Sequence, residues 1–168
     1  MEVIWAPWRL SYIKEATKGE NRDGCFICKA VNESPEKDAE NLLLHKGKYS
    51  LVILNRYPYN TGHLMVCPVR HTGDFTSLRK EELEEIDETL KKVLKVLKRA
   101  FNPEGFNIGL NLGKVSGGSV DTHIHYHVVP RWLGDTNFMP VISGVKVIPQ
   151  SLSETYSILK EFWDRLDD

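Results

Sequence analysis

Apolar and polar positions form short extended runs through the first half of the chain, and this pattern predicts β-strands. Residues 42–45 and 49–55 are two such runs, and the lysine–glycine–lysine triplet at 46–48 predicts a hairpin turn between them. A polar, proline-containing loop at 56–62 leads to a third predicted strand at 63–68. The first half of the chain is therefore expected to supply three consecutive strands with short connections.

The pattern then changes to a helical period. Apolar residues recur at helical spacing over residues 77–100, acidic residues come early and basic residues late, and Pro103 follows. This order complements the helix dipole and predicts one long helix that Ser77 opens and Pro103 closes. A second helix is predicted at 153–166, with Ser153 as its cap.

Two further strands are expected on either side of a glycine-rich loop at 113–120. Residues 105–112 are predicted as the fourth strand and residues 122–130 as the fifth, whereas 134–150 has no clear period. Successive strands with short links, one long crossover helix and a C-terminal helix predict an α+β fold. Its sheet should be antiparallel, with about five strands.

Three of the chain's six histidines, His123, His125 and His127, alternate with apolar residues in the fifth predicted strand. Alternation places the three imidazoles on one face and the intervening apolar side chains behind them. Neighbouring imidazoles would then stand about 7 Å apart. Repeated use of one costly polar residue favours a functional role over a purely structural one. That role is either metal ligation or histidine chemistry on a substrate.

Composition narrows the class of protein. The 168 residues suffice for one domain with a proper core. The 22 basic and 23 acidic side chains nearly cancel, so no nucleic-acid or acidic-membrane partner is indicated and any phosphate needs a local site. The N-terminus lacks the layout of a signal peptide, and no apolar run reaches membrane-spanning length. We therefore expect a cytoplasmic protein.

Three cysteines suggest a second kind of chemistry. Cys67 lies within an apolar strand and is interpreted as a small core residue. Cys25 and Cys28 form a close pair, which in a reducing compartment is metal-binding or redox-active more often than a structural disulfide. The alternative is that both are simply buried thiols.

The three alternating histidines cannot all bind one metal ion. On a straight strand the first and third would lie about 13 Å apart, whereas zinc–nitrogen bonds measure about 2.0–2.1 Å. If only His123 is used, Cys25, Cys28 and His71 complete a closed Cys2His2 set. Such a set is typical of a structural zinc site rather than a catalytic one.

His125 and His127 then remain beside the glycine-rich loop. Backbone N–H groups of Gly118 and its neighbours, together with the Ser119 hydroxyl, can approach an anion closely. Imidazole is nucleophilic when neutral near pH 7, and its phosphoramidate is readily discharged. The arrangement indicates a phosphate cradle facing a nucleophilic imidazole.

The run at 123–129 resembles the signature of the histidine triad family, in which three histidines alternate with apolar residues. The similarity continues through residues 55–68, which look like the family's nucleotide-binding hairpin. We expect a single histidine triad domain over 1–168, made of an N-terminal extension at 1–24, a core at 25–132 and a C-terminal tail and helix at 133–168.

The resemblance implies a nucleotidyl hydrolase or transferase that works through a covalent nucleotidyl-histidine. It assigns the nucleophile to His125 and binding of the phosphate and leaving group to His127. It also places Asn55 at the ribose and His63 near the phosphate. Zinc-binding members of the family have ligands at positions that match the Cys2His2 set described above.

Other segments look like the diadenosine tetraphosphate phosphorylase branch of the family, namely residues 5–9, 111–113, 127–132 and 134–138. That branch implies a purine dinucleoside polyphosphate as substrate. It also implies a phosphate acceptor site, shaped by Asn111, Gly118, Ser119 and Trp132.

The glycine–serine loop differs from the alanine–glycine loop common in that branch, so phosphate and water both remain as acceptors. The alternatives are an adenosine 5′-phosphoramidase and a non-catalytic nucleotide-binding sensor. Family members usually form homodimers, and the long predicted helix is a candidate contact surface. Its apolar stripe could instead be used entirely by its own sheet.

Overall fold

Five strands form one antiparallel sheet in the order β1–β2–β3–β5–β4. The computed structural model of the protein describes residues 24–116, 120–136 and 147–166. The strands are β1 (Leu43–Lys46), β2 (Ser50–Leu54), β3 (Leu64–Pro68), β4 (Gly105–Leu110) and β5 (Tyr126–Arg131). The α+β class, the antiparallel sheet and its five strands are confirmed.

Four α-helices accompany this sheet in the described residues. They are α1 (Phe26–Asn32), α2 (Asp38–Asn41), α3 (Lys80–Phe101) and α4 (Leu152–Asp164). The crossover helix α3 lies against β2, β3 and α4. Its buried apolar side chains are Ile86, Val93, Val96 and Leu97. The apolar stripe of α3 is therefore used by its own sheet and by α4. No helix in the described ranges is both long and apolar enough to cross a membrane.

The long helix begins later than predicted. Ser77 belongs to a 3-10 turn (Phe75–Ser77), and the carboxylate of Asp74 caps that turn by accepting the N–H of Thr76. The helix itself starts at Lys80, where the Glu82 carboxylate accepts the backbone N–H of Arg79. The prediction that Ser77 opens the helix was wrong, because Ser77 belongs to a separate turn that Asp74 caps.

The C-terminal helix begins two residues earlier than expected from a Ser153 cap. Ser151 is the cap: its hydroxyl accepts the N–H of Glu154, and the Glu154 carboxylate accepts the N–H of Ser151. This reciprocal pair is a capping box. Ser153 has no acidic residue three positions later, which is why the box forms at Ser151.

The histidine strand is shorter than predicted. β5 starts at Tyr126, so only His127 of the three histidines lies in it. Pairing with β3 ends at Tyr126 because the preceding segment turns aside, and the N–H of Ile124 donates to the carbonyl of Thr72. His123 and His125 therefore lie in an irregular segment, and the predicted row of three imidazoles on one strand face was wrong.

Candidate functional site

Four side chains converge where α1, the end of β3 and the segment before β5 meet. The ligand atoms of Cys25, Cys28, His71 and His123 all lie within 4.8 Å of one another. The Cys28 sulfur is 3.2 Å from Nδ1 of His71, and Nδ1 of His123 is 3.4 Å from the Cys25 sulfur. Ligands around a tetrahedral ion with bonds of 2.0–2.3 Å stand about 3.6 Å apart, so these spacings fit one metal ion. The sequence-predicted cluster is thus assembled in space.

The tautomer of His123 supports the same conclusion. Its Nε2 lies 2.8 Å from the carbonyl oxygen of Pro68. A carbonyl can only accept, so Nε2 carries the hydrogen and Nδ1 presents its lone pair to the two sulfurs. Burial lowers the pKa of His123 to about 4, which keeps the ring neutral. A neutral imidazole whose far nitrogen is fixed by a carbonyl is the usual form of a metal-ligating histidine.

Close backbone packing fixes His123 and His71 relative to each other. Gly73 lies so near the other segment that a Cβ added to it would be 2.3 Å from the carbonyl oxygen of Asp121. The hydrogen bond from Ile124 to Thr72 joins the same two segments. Only glycine fits at this contact, because any side chain would force the two segments apart.

His125 lies next to this cluster but has different partners. Its Nδ1 is 2.8 Å from the carbonyl oxygen of His123, so Nδ1 is the donor and Nε2 carries the lone pair. Burial lowers the pKa of His125 below its ordinary value of 6.5, with the bond to the His123 carbonyl as a smaller opposing effect. The ring is therefore a neutral imidazole whose nucleophilic nitrogen has a fixed position.

His127 lies beside His125, with ring centroids 4.8 Å apart and the rings nearly perpendicular. The N–H of Tyr59 donates to Nδ1 of His63 at 3.1 Å, which leaves the hydrogen of neutral His63 on Nε2. Nε2 of His63 lies 3.0 Å from Nδ1 of His127. The donor direction therefore runs from His63 to His127, and the hydrogen of neutral His127 is on Nε2.

Asn111 completes this group of side chains. Its carboxamide group lies 3.4 Å from Nε2 of His127. Because the donor direction from His63 places a hydrogen on Nε2 of His127, the carboxamide oxygen is the group that can accept it. Gly109 lies opposite His127 in the register of β4 and β5, and the space beside it is open. His63, Asn111, His125 and His127 are thus brought together.

Asn55 is buried at the end of β2, where its side-chain oxygen accepts the N–H of Tyr57. Next to it lies a concave surface that the sequence analysis did not foresee. Its lining residues come from α1, α2 and β2 and from their flanks, and they are Phe26, Lys29, Asn41, Leu42, Ile53, Leu54 and Arg56. This surface has an apolar floor and two cationic side chains, a combination suited to the base and the negative charge of a nucleotide.

Trp132 is the sequence-predicted site residue that lies apart from the histidines. It follows β5, about 17 Å from His127 at the rise of an extended strand. Its indole N–H donates to the carbonyl of Phe101. Gly118 and Ser119, the predicted phosphate cradle, lie outside the described residues, as do residues 5–9.

The fold and the histidine cluster define a histidine triad protein, and comparison with known proteins agrees. The HIT domain family model matches residues 36–132. An AP-4-A phosphorylase of Mycobacterium tuberculosis is 41% identical over 167 residues, which cover 98% of this chain and 86% of that protein. An adenosine 5′-monophosphoramidase of Schizosaccharomyces pombe is 32% identical over 107 residues, 64% of this chain and 74% of that protein.

A solved structure with the same fold is that of a zinc-bound histidine triad family protein from Mycobacterium smegmatis. Its TM-score is 0.67 with 26% identity, and the match covers 88% of this chain and 98% of that one. The chain therefore belongs to the HIT family.

Proposed function

We propose that the protein transfers the nucleotidyl group of a dinucleoside polyphosphate, such as diadenosine tetraphosphate, to phosphate or water through a nucleotidyl-histidine. The observation that carries this proposal is the fixed tautomer of His125, whose Nε2 lone pair is kept beside the His127 imidazole. The similarity to the M. tuberculosis AP-4-A phosphorylase supports the choice of substrate.

In the first step, Nε2 of His125 attacks the phosphorus atom next to the ribose. A nitrogen–phosphorus bond forms, the bond from phosphorus to the bridging oxygen breaks, and the remaining nucleoside polyphosphate leaves with that electron pair. The Nδ1–H bond to the His123 carbonyl stabilises the cationic ring that results. In the second step, an oxygen of phosphate or water attacks phosphorus, the nitrogen–phosphorus bond breaks, and its electron pair returns to Nε2. An attacking water also loses a proton to the solvent.

His127 acts on the phosphate and the leaving group. Its hydrogen is on Nε2, because Nδ1 accepts from His63, so Nε2–H can donate to a phosphoryl oxygen or to the departing bridging oxygen. We place the ribose at Asn55 and the base in the concave surface between Phe26 and Arg56. Gly118 and Ser119 would contact the phosphate, and Asn111 would shape the acceptor site. The position of Trp132, about 17 Å along the strand from His127, argues against the same role for it within one chain.

Incubation with diadenosine tetraphosphate, with and without phosphate, tests this function. ADP plus ATP formed only with phosphate identifies phosphorolysis, and AMP plus ATP identifies hydrolysis. The second candidate is an adenosine 5′-phosphoramidase, which the similarity to the S. pombe enzyme favours and which uses the same nucleophile on a smaller leaving group. Tight nucleotide binding without turnover of either substrate would instead indicate a nucleotide sensor.

We further propose that the Cys2His2 cluster holds a structural zinc ion. Thiolates and neutral imidazoles suit zinc, and the spacing of the four ligand atoms fits a tetrahedral site. When bound, zinc would supply a cross-link between α1, the end of β3 and the His123 segment. Four protein ligands leave no position for an activated water, so the reaction steps involve only this chain's own side chains.

A homodimer and a cytoplasmic location complete the proposal. Because the apolar stripe of α3 is already buried within the protein, we propose that the homodimer contact lies at the outer edge of β4 rather than on α3. In the described part of the chain no strand pairs with that edge, and Ile108 on β4 is 47% exposed. A reducing cytoplasm would keep Cys25 and Cys28 reduced and available to the metal. Light scattering tests the dimer.

A further inference from the structure

A buried carboxylate beyond the end of β5 gathers hydrogen bonds from two separate parts of the chain. The Asp135 side chain is only 7% exposed. Its Oδ2 accepts from Nε of Arg131 at 2.5 Å, from Nδ2 of Asn60 at 2.8 Å and from the N–H of Trp132 at 3.2 Å, and its Oδ1 accepts from Nη2 of Arg131 at 3.0 Å. We propose that Asp135 is a positioning residue. It holds His63 and His127 in the relative position that the transfer reaction needs.

The first link from Asp135 towards the histidines is Asn60. This residue is buried in the loop between β2 and β3, and its amide group also donates to the carbonyl of Pro130 at 3.0 Å. Its backbone carbonyl accepts the N–H of His63 at 3.2 Å. The Asp135–Asn60 bond therefore fastens the turn that carries His63 to the far end of β5.

The second link is the tautomer of His63. The turn directs the N–H of Tyr59 at Nδ1 of His63, and this contact requires the hydrogen to be on Nε2, where it donates to His127. If the turn shifted by a fraction of a hydrogen-bond length, Nδ1 would lose its donor and the other tautomer would become accessible. His127 would then lose the partner that fixes its own hydrogen on Nε2. This inference rests on the proposed function, because there His127 acts on the phosphate and leaving group.

The turn has a second support, so loss of Asp135 should loosen it rather than unfold it. Gly62 has a φ of +75° and lies against Leu97 and Phe101, where an added Cβ would come within 3.1–3.2 Å of both side chains. The contact with α3 keeps the loop in place, while Asp135 sets its fine position. A residue that only stabilised the fold would change the melting temperature without changing the tautomer of a distant imidazole.

The test compares Asp135→Asn with the full-length wild-type protein by ¹⁵N NMR of the histidine rings. Asparagine is uncharged, and only one of its two terminal atoms can accept, so its NH₂ group faces a donor that Asp135 now satisfies and the link to the turn is weakened. In the wild type we expect neutral His63 to show protonated Nε2 and unprotonated Nδ1. In Asp135→Asn we expect a mixture of the two tautomers, and a kcat on diadenosine tetraphosphate about ten- to a hundredfold lower with KM within about threefold.

Two further variants sharpen this test. Asn60→Ser removes the linking amide but keeps the Asp135–Arg131 pair, so it should reproduce both effects and decides the question if Asp135→Asn does not fold. Asp164→Asn makes the same chemical change at an exposed carboxylate that binds Lys160, and neither effect should occur.

A single Nε2–H tautomer of His63 in folded Asp135→Asn or Asn60→Ser would overturn the proposal, whatever the rate. Failure of both variants to fold would overturn it as well, because Asp135 would then serve the fold alone. Failure of the proposed function would be recognised separately, as a wild-type protein that shows the His63 tautomer but does not turn over diadenosine tetraphosphate.

Discussion

The two ends of the histidine motif are built differently although they are only four residues apart. At the first end, both nitrogens of His123 have partners: Nε2 donates to a carbonyl and Nδ1 faces two sulfurs. At the other end, His127 contacts both His125 and His63, and its register partner on β4 is a glycine beside open space. The difference teaches that one motif can hold two kinds of side-chain cluster when the backbone turns between them. The closed end at His123 is the one proposed to be structural, and the open end at His125 and His127 is the one proposed to be reactive.

The comparison predicts that substitutions at the reactive end will lower the rate while those at the closed end will lower stability. The largest effect is expected at His125. His125→Ala and His125→Asn should each reduce kcat on diadenosine tetraphosphate by at least about 10⁴-fold, because the covalent pathway is lost. Asparagine can still donate to the His123 carbonyl, so His125→Asn should melt within a few degrees of the wild type. Near-normal turnover in either variant would disprove the mechanism.

At the closed end, substitutions should lower stability more than they lower the rate. Cys25→Ser or removal of the metal by a chelator should destabilise the protein by several kcal/mol, since binding of a structural metal is coupled to folding. Turnover by the fraction that stays folded should fall far less than in the His125 variants. Elemental analysis should find about one zinc per chain in the wild type. Cys67→Ala, a change at a buried cysteine outside the cluster, should retain the metal; a metal-free wild type of full stability would contradict the proposal.

Sequence patterns predicted the sheet well because its strands depend on local alternation and tight turns. The sequence also supplied the Cys2His2 set, since residue chemistry and spacing restrict the choice of ligands. It did not predict where β5 begins, because that depends on the Ile124–Thr72 hydrogen bond between segments far apart in the chain. The short helix α1 was missed for a related reason. It has few residues from which a period could be read, and its packing against the rest of the fold stabilises it.

The contact between His63 and His127, at the reactive end, also depends on segments far apart in the chain and could not be predicted from the sequence. These residues are 64 positions apart, and only the strand register of β3 and β5 brings their rings together. The resemblance placed His63 near the phosphate but gave no tautomer for it. The tautomer follows from one backbone N–H, that of Tyr59, which no residue pattern encodes.

Two glycines allow the difference in packing between the ends to be tested directly. Gly73→Ala would place a Cβ 2.3 Å from a backbone oxygen in the His123 segment, whereas Gly109→Ala would meet nothing within 4 Å. We expect Gly73→Ala to cost about 2–3 kcal/mol in the free energy of unfolding, as forced backbone movement typically does. Gly109→Ala should change that free energy by less than about 1 kcal/mol. Chemical denaturation measures both; equal losses would mean that the closed end is no more tightly packed.

An effect somewhat smaller than that of Gly73→Ala is expected from an ion pair next to the closed end. Nε and Nη2 of Arg70, the residue before the metal-ligand candidate His71, each lie 2.8 Å from an oxygen of Glu82, which is buried at the start of α3. The hydrogen bond from Arg70 lowers the pKa of Glu82 to about 2, from an ordinary value of 4.5. Because the folded state favours the ionised form, the pair stabilises the protein fully above about pH 4.5, and this stabilisation is lost as the pH falls towards 2.

Glu82→Gln should therefore reduce the free energy of unfolding by about 2 kcal/mol at neutral pH, less than the full pKa shift would give because Arg70 is partly exposed to solvent. The difference between wild type and variant should shrink between pH 4.5 and pH 2, and any pH dependence that both proteins share will cancel in it. Denaturant unfolding across that range measures the difference. A difference that stays constant down to pH 2 would mean that Glu82 acts through packing alone, and that the closed end does not depend on its charge.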